Sequence, residues 1–259
     1  MTRIGEAFLN KKAFIAFLTA GDPTLDKTAL YIEVMEKAGA DLIEIGIPFS
    51  DPVAEGPVIE RANERALNNG ATVDRIFAMV ESVRKKVTVP LVFLTYFNPV
   101  FKYGQESFFT KCAEVGIDGI IIPDLPFEES SETKRLAKKH GVDVISLIAP
   151  TSHERIKMIA KEASGFIYAV SSMGVTGVRS AIHTDLAGMI NLVRTVTDLP
   201  VAVGFGIAEP EQAQEVAKIS DGAIVGSRIV SIIEEYGENA KEPLAAYVRS
   251  MKEAVEKAQ

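Results

Sequence analysis

Short apolar runs alternate along this chain with longer stretches in which apolar residues recur every three or four positions. Residues 2–11 carry Ile4, Phe8 and Leu9 at helical spacing and predict a short amphipathic helix. The run 13–19 (AFIAFLT) predicts a strand, closed by Gly21-Asp22-Pro23. Thr24 is placed to cap a helix reaching about residue 38, where Gly39 stops it. The second strand is 41–48, followed by helices at about 57–69 and 73–86. Strands at 91–96, 118–124, 143–149, 166–171, 200–204 and 221–225 follow in turn. Helices at about 105–115, 128–140, from 152, up to 196 and at 210–218 separate them. Helices at about 227–234 and 242–257 end the chain.

Eight strands thus alternate with helices. Gly39-Ala40-Asp41, Gly116-Ile117-Asp118 and Gly141-Val142-Asp143 each end a helix and open a strand, a repeated junction. The pattern predicts an α/β fold, a (β/α)8 barrel, over an open doubly wound sheet as the alternative. One domain spanning 1–259 is expected, with an extra N-terminal helix and extra helices after strands two and eight. The 259 residues match the roughly 250 typical of such a barrel.

Composition narrows the function. Thirty-five acidic against 28 basic residues give a net charge of -7, which disfavours nucleic acid as the main partner. The single cysteine, Cys112, leaves neither a disulfide framework nor a thiolate metal cluster. The first residues lack the apolar core of a signal peptide, and no apolar run approaches the ~18 residues of a membrane span. A cytoplasmic protein without membrane contact is the expectation.

In the second strand, Ile43, Ile45 and Ile47 share one face, and Leu42, Glu44 and Gly46 share the other. Both faces read as buried, so the Glu44 carboxylate needs a partner or a function. Asp51 and Glu55 follow in a Pro/Gly-rich turn, and barrels present catalytic groups at this end of their strands. Gly204-Phe205-Gly206 and Gly226-Ser227 close the last two strands, where such barrels bind phosphate. Glycine lets backbone N–H groups approach an anion, and a helix starting at Ser227, with Ser227 as its cap, adds its own. Either glycine group alone would be an ordinary turn. No lysine lies within a predicted strand, which disfavours Schiff-base chemistry. His140, His153 and His183 lack metal-ligand spacing. These residues describe an enzyme for a small phosphorylated substrate, working by carboxylate acid/base chemistry.

The run 43–57, IEIGIPFSDPVAEGP, resembles the signature of the tryptophan synthase alpha chain family. The resemblance covers the whole chain and includes LTAGDP at 18–23, IPDLP at 122–126, YAVS at 168–171, GVTG at 174–177, GFGI at 204–207 and Gly226-Ser227. It implies a lyase that cleaves indole-3-glycerol phosphate into indole and glyceraldehyde 3-phosphate. Glu44 would be the main acid/base residue, and Glu55 would hold the indole N–H, standing where the commonest pattern has aspartate. Gly177, Gly206, Gly226 and Ser227 would bind the phosphate. Phe17, Ile59, Tyr96, Tyr168 and Phe205 would line the indole pocket or orient Glu44. Residues 172–180 match a lid whose Thr176 meets the second acid. No metal or cofactor is expected in this chain. The implied partner is a beta chain carrying pyridoxal phosphate, in an alpha2-beta2 heterotetramer.

Overall fold

In the computed structural model, residues 2–170, 179–204 and 206–258 are described. Helix α1 (Arg3–Ala7) leads into strand β1 (Ala13–Thr19), α2 (Leu25–Ala38), β2 (Leu42–Gly46), α3 (Pro57–Asn68), α4 (Val73–Arg84) and β3 (Leu91–Leu94). Next come α5 (Phe97–Tyr103), α6 (Gln105–Val115), β4 (Gly119–Ile121), α7 (Ser131–Lys139), β5 (Asp143–Val144), β6 (Ser146–Ile148) and α8 (His153–Lys161). The chain ends with β7 (Ile167–Val170), α9 (Arg179–Arg194), β8 (Val201–Gly204), α10 (Pro210–Ile219), β9 (Gly222–Val225), α11 (Ser227–Tyr236) and α12 (Lys241–Glu256).

All pairings are parallel, in the order β5-β4-β3-β2-β1-β9-β8-β7-β6. The sheet's two ends, β5 and β6, are separated in sequence by Ile145 alone, so the chain itself closes the (β/α)8 barrel. Period-two alternation divides the strands between two apolar layers. Ile15, Leu42, Val92, Ile121, Ile145, Phe166, Ala202 and Ile224 fill the barrel interior together with Ile4 and Ala7 of α1. Phe14, Ile43, Ile45, Phe93, Ile120 and Val203 face the helices.

The repeated junction has a physical role. Gly39, Gly116 and Gly141 all have positive φ, the conformation that ends a helix without a Cβ clash. Asp41 then accepts from the Phe14 N–H at 2.8 Å, and Asp118 from the Leu91 N–H at 2.9 Å. Asp221 likewise accepts from Val201 at 2.9 Å. Each aspartate satisfies a donor at the start of a neighbouring strand and is paired with a cation: Lys11 and Lys252, Arg3 and Arg84, or Arg194.

Four expectations are corrected. The predicted strand 143–149 is two strands, because its lower half pairs with β4 and its upper half with β7. A mostly apolar run broken by a single serine, Ser146, carries no decisive mark of such a change of partner. Helix α5 occupies what read as a loop after the third strand, so that strand too is followed by two helices; the Asp124 carboxylate accepts its Phe97 N–H at 2.8 Å. Leu9, grouped by spacing with Ile4 and Phe8, is 51% exposed because α1 ends at Ala7. Ser227 does not cap its helix: Gly226 holds that position, with no side-chain cap.

Candidate functional site

Glu44 lies in β2, in register with Phe17 of β1 and Val92 of β3, and points into the barrel. It is 1% exposed, and its Oε1 has no hydrogen-bond partner. Burial pushes its pKa up to about 8. Near neutral pH this carboxyl therefore holds its proton and can donate it.

The walls around it are apolar and close. Phe17 packs with Ile59 and Ala62 of α3, Val230 of α11 and Leu94 of β3. A Cβ on Gly46 would lie 2.7 Å from Phe17 Cζ, so glycine at the end of β2 makes room for that ring. Gly204 does the same for Tyr168: a Cβ there would overlap the phenol oxygen and lie 2.5 Å from Cζ. Burial raises the Tyr168 phenol pKa, and the Glu44 charge adds to the rise, which places the two groups in one field.

The acidic loop after β2 folds over this pocket from the β3 side. Tyr96, 1% exposed, accepts the Ala54 N–H at 3.1 Å, and its ring lies 5.5 Å from that of Phe49. Glu55 is half-buried, and Asn63 of α3 donates to its Oε2 at 2.6 Å. Burial raises the Glu55 pKa, opposed by hydrogen bonds from Asn63 and Tyr96. Asp51, the other loop acid, is exposed and accepts only the Ser50 hydroxyl among the hydrogen bonds described.

At the ends of the last two strands, Gly206 has φ +75° and is exposed. Gly226 caps α11, and a Cβ on it would lie 3.2 Å from Phe17 Cδ1, so glycine there leaves room for that ring. Ser227 is exposed at the first turn of α11, where backbone N–H groups have no side-chain acceptor. A chain of charges fixes this helix. The Asp22 carboxylate accepts two hydrogen bonds from Arg65 of α3, both 2.8 Å, and Glu234 of α11 pairs with Arg65 and Arg61. Those arginines, Arg61 foremost, hold Glu234 down to about 2.

The structure therefore brings together Glu44, Phe17, Ile59 and Tyr168, with Glu55 on the loop beside them and Tyr96, at the exit of β3, holding that loop. Thr176, Gly177 and Phe205 lie outside the described residues. Among the described residues, no group of three His, Cys, Asp or Glu side chains could hold a metal ion. Sequence reasoning passed over Asn63 and Arg65. Asn63 did leave a signal: it is a polar residue one position from Ala62 on the α3 face that buries Ala62 and Ala66.

Comparison with known proteins gives concordant matches. A family model described as Tryptophan synthase alpha chain matches residues 6–258. A tryptophan synthase alpha chain of Lacticaseibacillus casei is 45% identical over 256 residues, covering 99% of this chain and 96% of the relative. The crystal structure of tryptophan synthase subunit alpha from Legionella pneumophila str. Paris superposes with a TM-score of 0.90 at 37% identity, covering 99% of each chain. A chain from the tryptophan synthase a2b2 complex of Pyrococcus furiosus superposes with a TM-score of 0.84 at 33% identity, covering 93% of this chain and 98% of that one.

Proposed function

The chain belongs to the tryptophan synthase alpha chain family, and on that premise we propose how its residues divide the reaction. The reaction is the cleavage of indole-3-glycerol phosphate to indole and glyceraldehyde 3-phosphate, in tryptophan biosynthesis. The partner is a beta chain, in an a2b2 assembly.

Glu44 is the acid/base residue. Its carboxyl donates a proton to indole C3, and the ring becomes an iminium able to accept electrons. The hydroxyl on the adjoining carbon loses its proton to the carboxylate so formed. The bond between C3 and that carbon breaks, its electron pair returns to the ring, and the carbon leaves as an aldehyde. The proton balance closes on one carboxyl group. The observation that carries this reading is a carboxyl at 1% exposure without a partner for Oε1, at the middle of a barrel strand on its interior face. A pKa near 8 suits both directions of transfer close to neutrality.

Glu55 accepts the indole N–H and stabilises the positive charge that builds on the ring. Its hydrogen bond from Asn63 supports that role by fixing one carboxylate oxygen. Phe17, Ile59, Tyr96 and Tyr168 enclose the indole, and the resemblance adds Phe205. Gly206, Gly226 and Ser227, with Gly177 added by the resemblance, take the phosphate. The uncapped start of α11 favours an anion there. The resemblance adds a lid whose Thr176 meets Glu55. The chain itself works without a cofactor, since the indole ring is the electron sink, and pyridoxal phosphate belongs to the beta chain. The test is indole release by the native chain and by Glu44→Gln, with substrate affinity measured calorimetrically. The variant should bind substrate and lose nearly all turnover; unchanged turnover would remove Glu44 from the mechanism.

A further inference from the structure

The strand that changes partners leaves an opening in the barrel wall. β5 pairs with β4, the Ile145 N–H still reaches the Ile120 carbonyl, and then β6 turns to β7. Above that point β4 and β6 form no ladder. A cleft of about 240 Å³ lies at the seam, and Ile122, Leu125, Phe127, Leu147 and Ile159 line it. Its volume is below the ~300 Å³ at which drug-sized pockets begin, so an occupant has to be small.

One side chain in this cleft is not accounted for by the fold. Lys134 of α7 lines it, and its Nζ is fully buried without a hydrogen-bond acceptor. The ammonium sits 4.6 Å from the centroid of the Phe127 ring, and Glu162 adds charge through space. Neither supplies an acceptor, and a buried ammonium without one is costly. The other cation of the cleft, Arg155, is already paired with Glu128. Ser130 donates its hydroxyl to the Phe127 carbonyl.

We propose that this cleft is a second ligand site, which takes a small monocarboxylate with an apolar body. Its carboxylate accepts from Lys134 Nζ, and its body packs on Phe127, Leu125 and Ile159. A single uncommitted ammonium matches one negative charge; a dianion would bring a second charge with no uncommitted cation in the cleft to match it, Arg155 being paired with Glu128. Burial lowers the Lys134 pKa, the direction that an unmatched buried cation requires and that a bound carboxylate would reverse.

The probe is benzoate, titrated into the full chain and followed by amide chemical shifts in two-dimensional NMR. Benzyl alcohol and inorganic phosphate serve as neutral and dianionic controls. Benzoate should shift amides in 122–134 and 144–151 in a saturable manner, with benzyl alcohol and phosphate weaker by about tenfold or more. Lys134→Met keeps the apolar stem and should weaken benzoate by about the same factor, while Lys134→Arg restores it. Neither variant should change indole release, because Lys134 lies outside the acid/base pocket. The proposal is overturned if benzoate causes no saturable shift in these segments. Equal binding to Lys134→Met and the native chain overturns it too, as do shifts confined to the surroundings of Glu44.

Discussion

Replacing Glu44 by glutamine tests the buried carboxyl through stability as well as turnover. Glutamine keeps the shape and removes the ionisation. In the unfolded chain this group titrates near its ordinary 4.5, and in the folded chain near 8. Between those values the folded chain holds a proton that the unfolded chain has released. Stability from this group is therefore full below about pH 4.5, falls as pH rises through the window, and is flat above about 8. At ~1.4 kcal/mol per pKa unit, the whole displacement corresponds to roughly 5 kcal/mol. Water entering the open end of the barrel on ionisation brings the expected difference to about 2–5 kcal/mol. The assay is urea unfolding of both chains at a series of pH values from 5 to 9. Their difference at each pH cancels the other titrating groups, including Glu234, which acts at the acidic end. The unpaired glutamine amide adds an offset that does not vary with pH. The variant should gain on the native chain by about 2–4 kcal/mol as pH rises across the series, which starts just inside the window. Parallel curves would refute the argument, since they would mean that Glu44 is solvated or paired in the folded chain.

Further substitutions probe the surroundings. Glu55→Asp keeps the charge but withdraws it by one methylene from Asn63 Nδ2, now 2.6 Å away, so turnover in the indole-release assay should fall by no more than about tenfold, whereas Glu55→Gln should lose about a hundredfold or more. Gly204→Ala forces Tyr168 out of place; unfolding should show a loss of about 1–3 kcal/mol, with a fall in kcat from the displaced phenol beside Glu44. Arg65→Leu strands the Asp22 carboxylate, 3% exposed, and should cost about 2–4 kcal/mol by urea unfolding, partly recovered by adding Asp22→Asn.

What the sequence could show depended on whether a residue's partners are local. Glu44 was legible because two residues on either side in one strand settle which face it shares, and both faces were apolar. The glycines at 204 and 226 were legible as a pattern, but their reason was not. Gly204 is small for Tyr168, 36 positions earlier, and Gly226 for Phe17, at the opposite end of the chain. Alternation places such residues on the interior face without saying which side chain leans over which. The split of the fifth strand was hidden for a related reason. Residues 143–149 are mostly apolar, and the alternation of their faces is the same whichever neighbour supplies the hydrogen bonds, so a change of partner at Ile145 leaves the pattern untouched.

The same reasoning separates the two acids. The setting of Glu44 is made by strand geometry, which a sequence encodes with period two, whereas that of Glu55 is made by a loop whose path is set by Tyr96 and Asn63. Both tethers come from other elements, β3's exit and the buried face of α3. A glutamate is longer than an aspartate by one methylene, and Asn63 receives that extra length. The pairing implies that substitutions at 55 and 63 are coupled: Asn63→Ala should lower turnover in the native background and have less effect once Glu55 is shortened to aspartate. Equal effects in both backgrounds would mean that Asn63 serves α3 packing alone, and that the position of Glu55 is set by the loop and Tyr96.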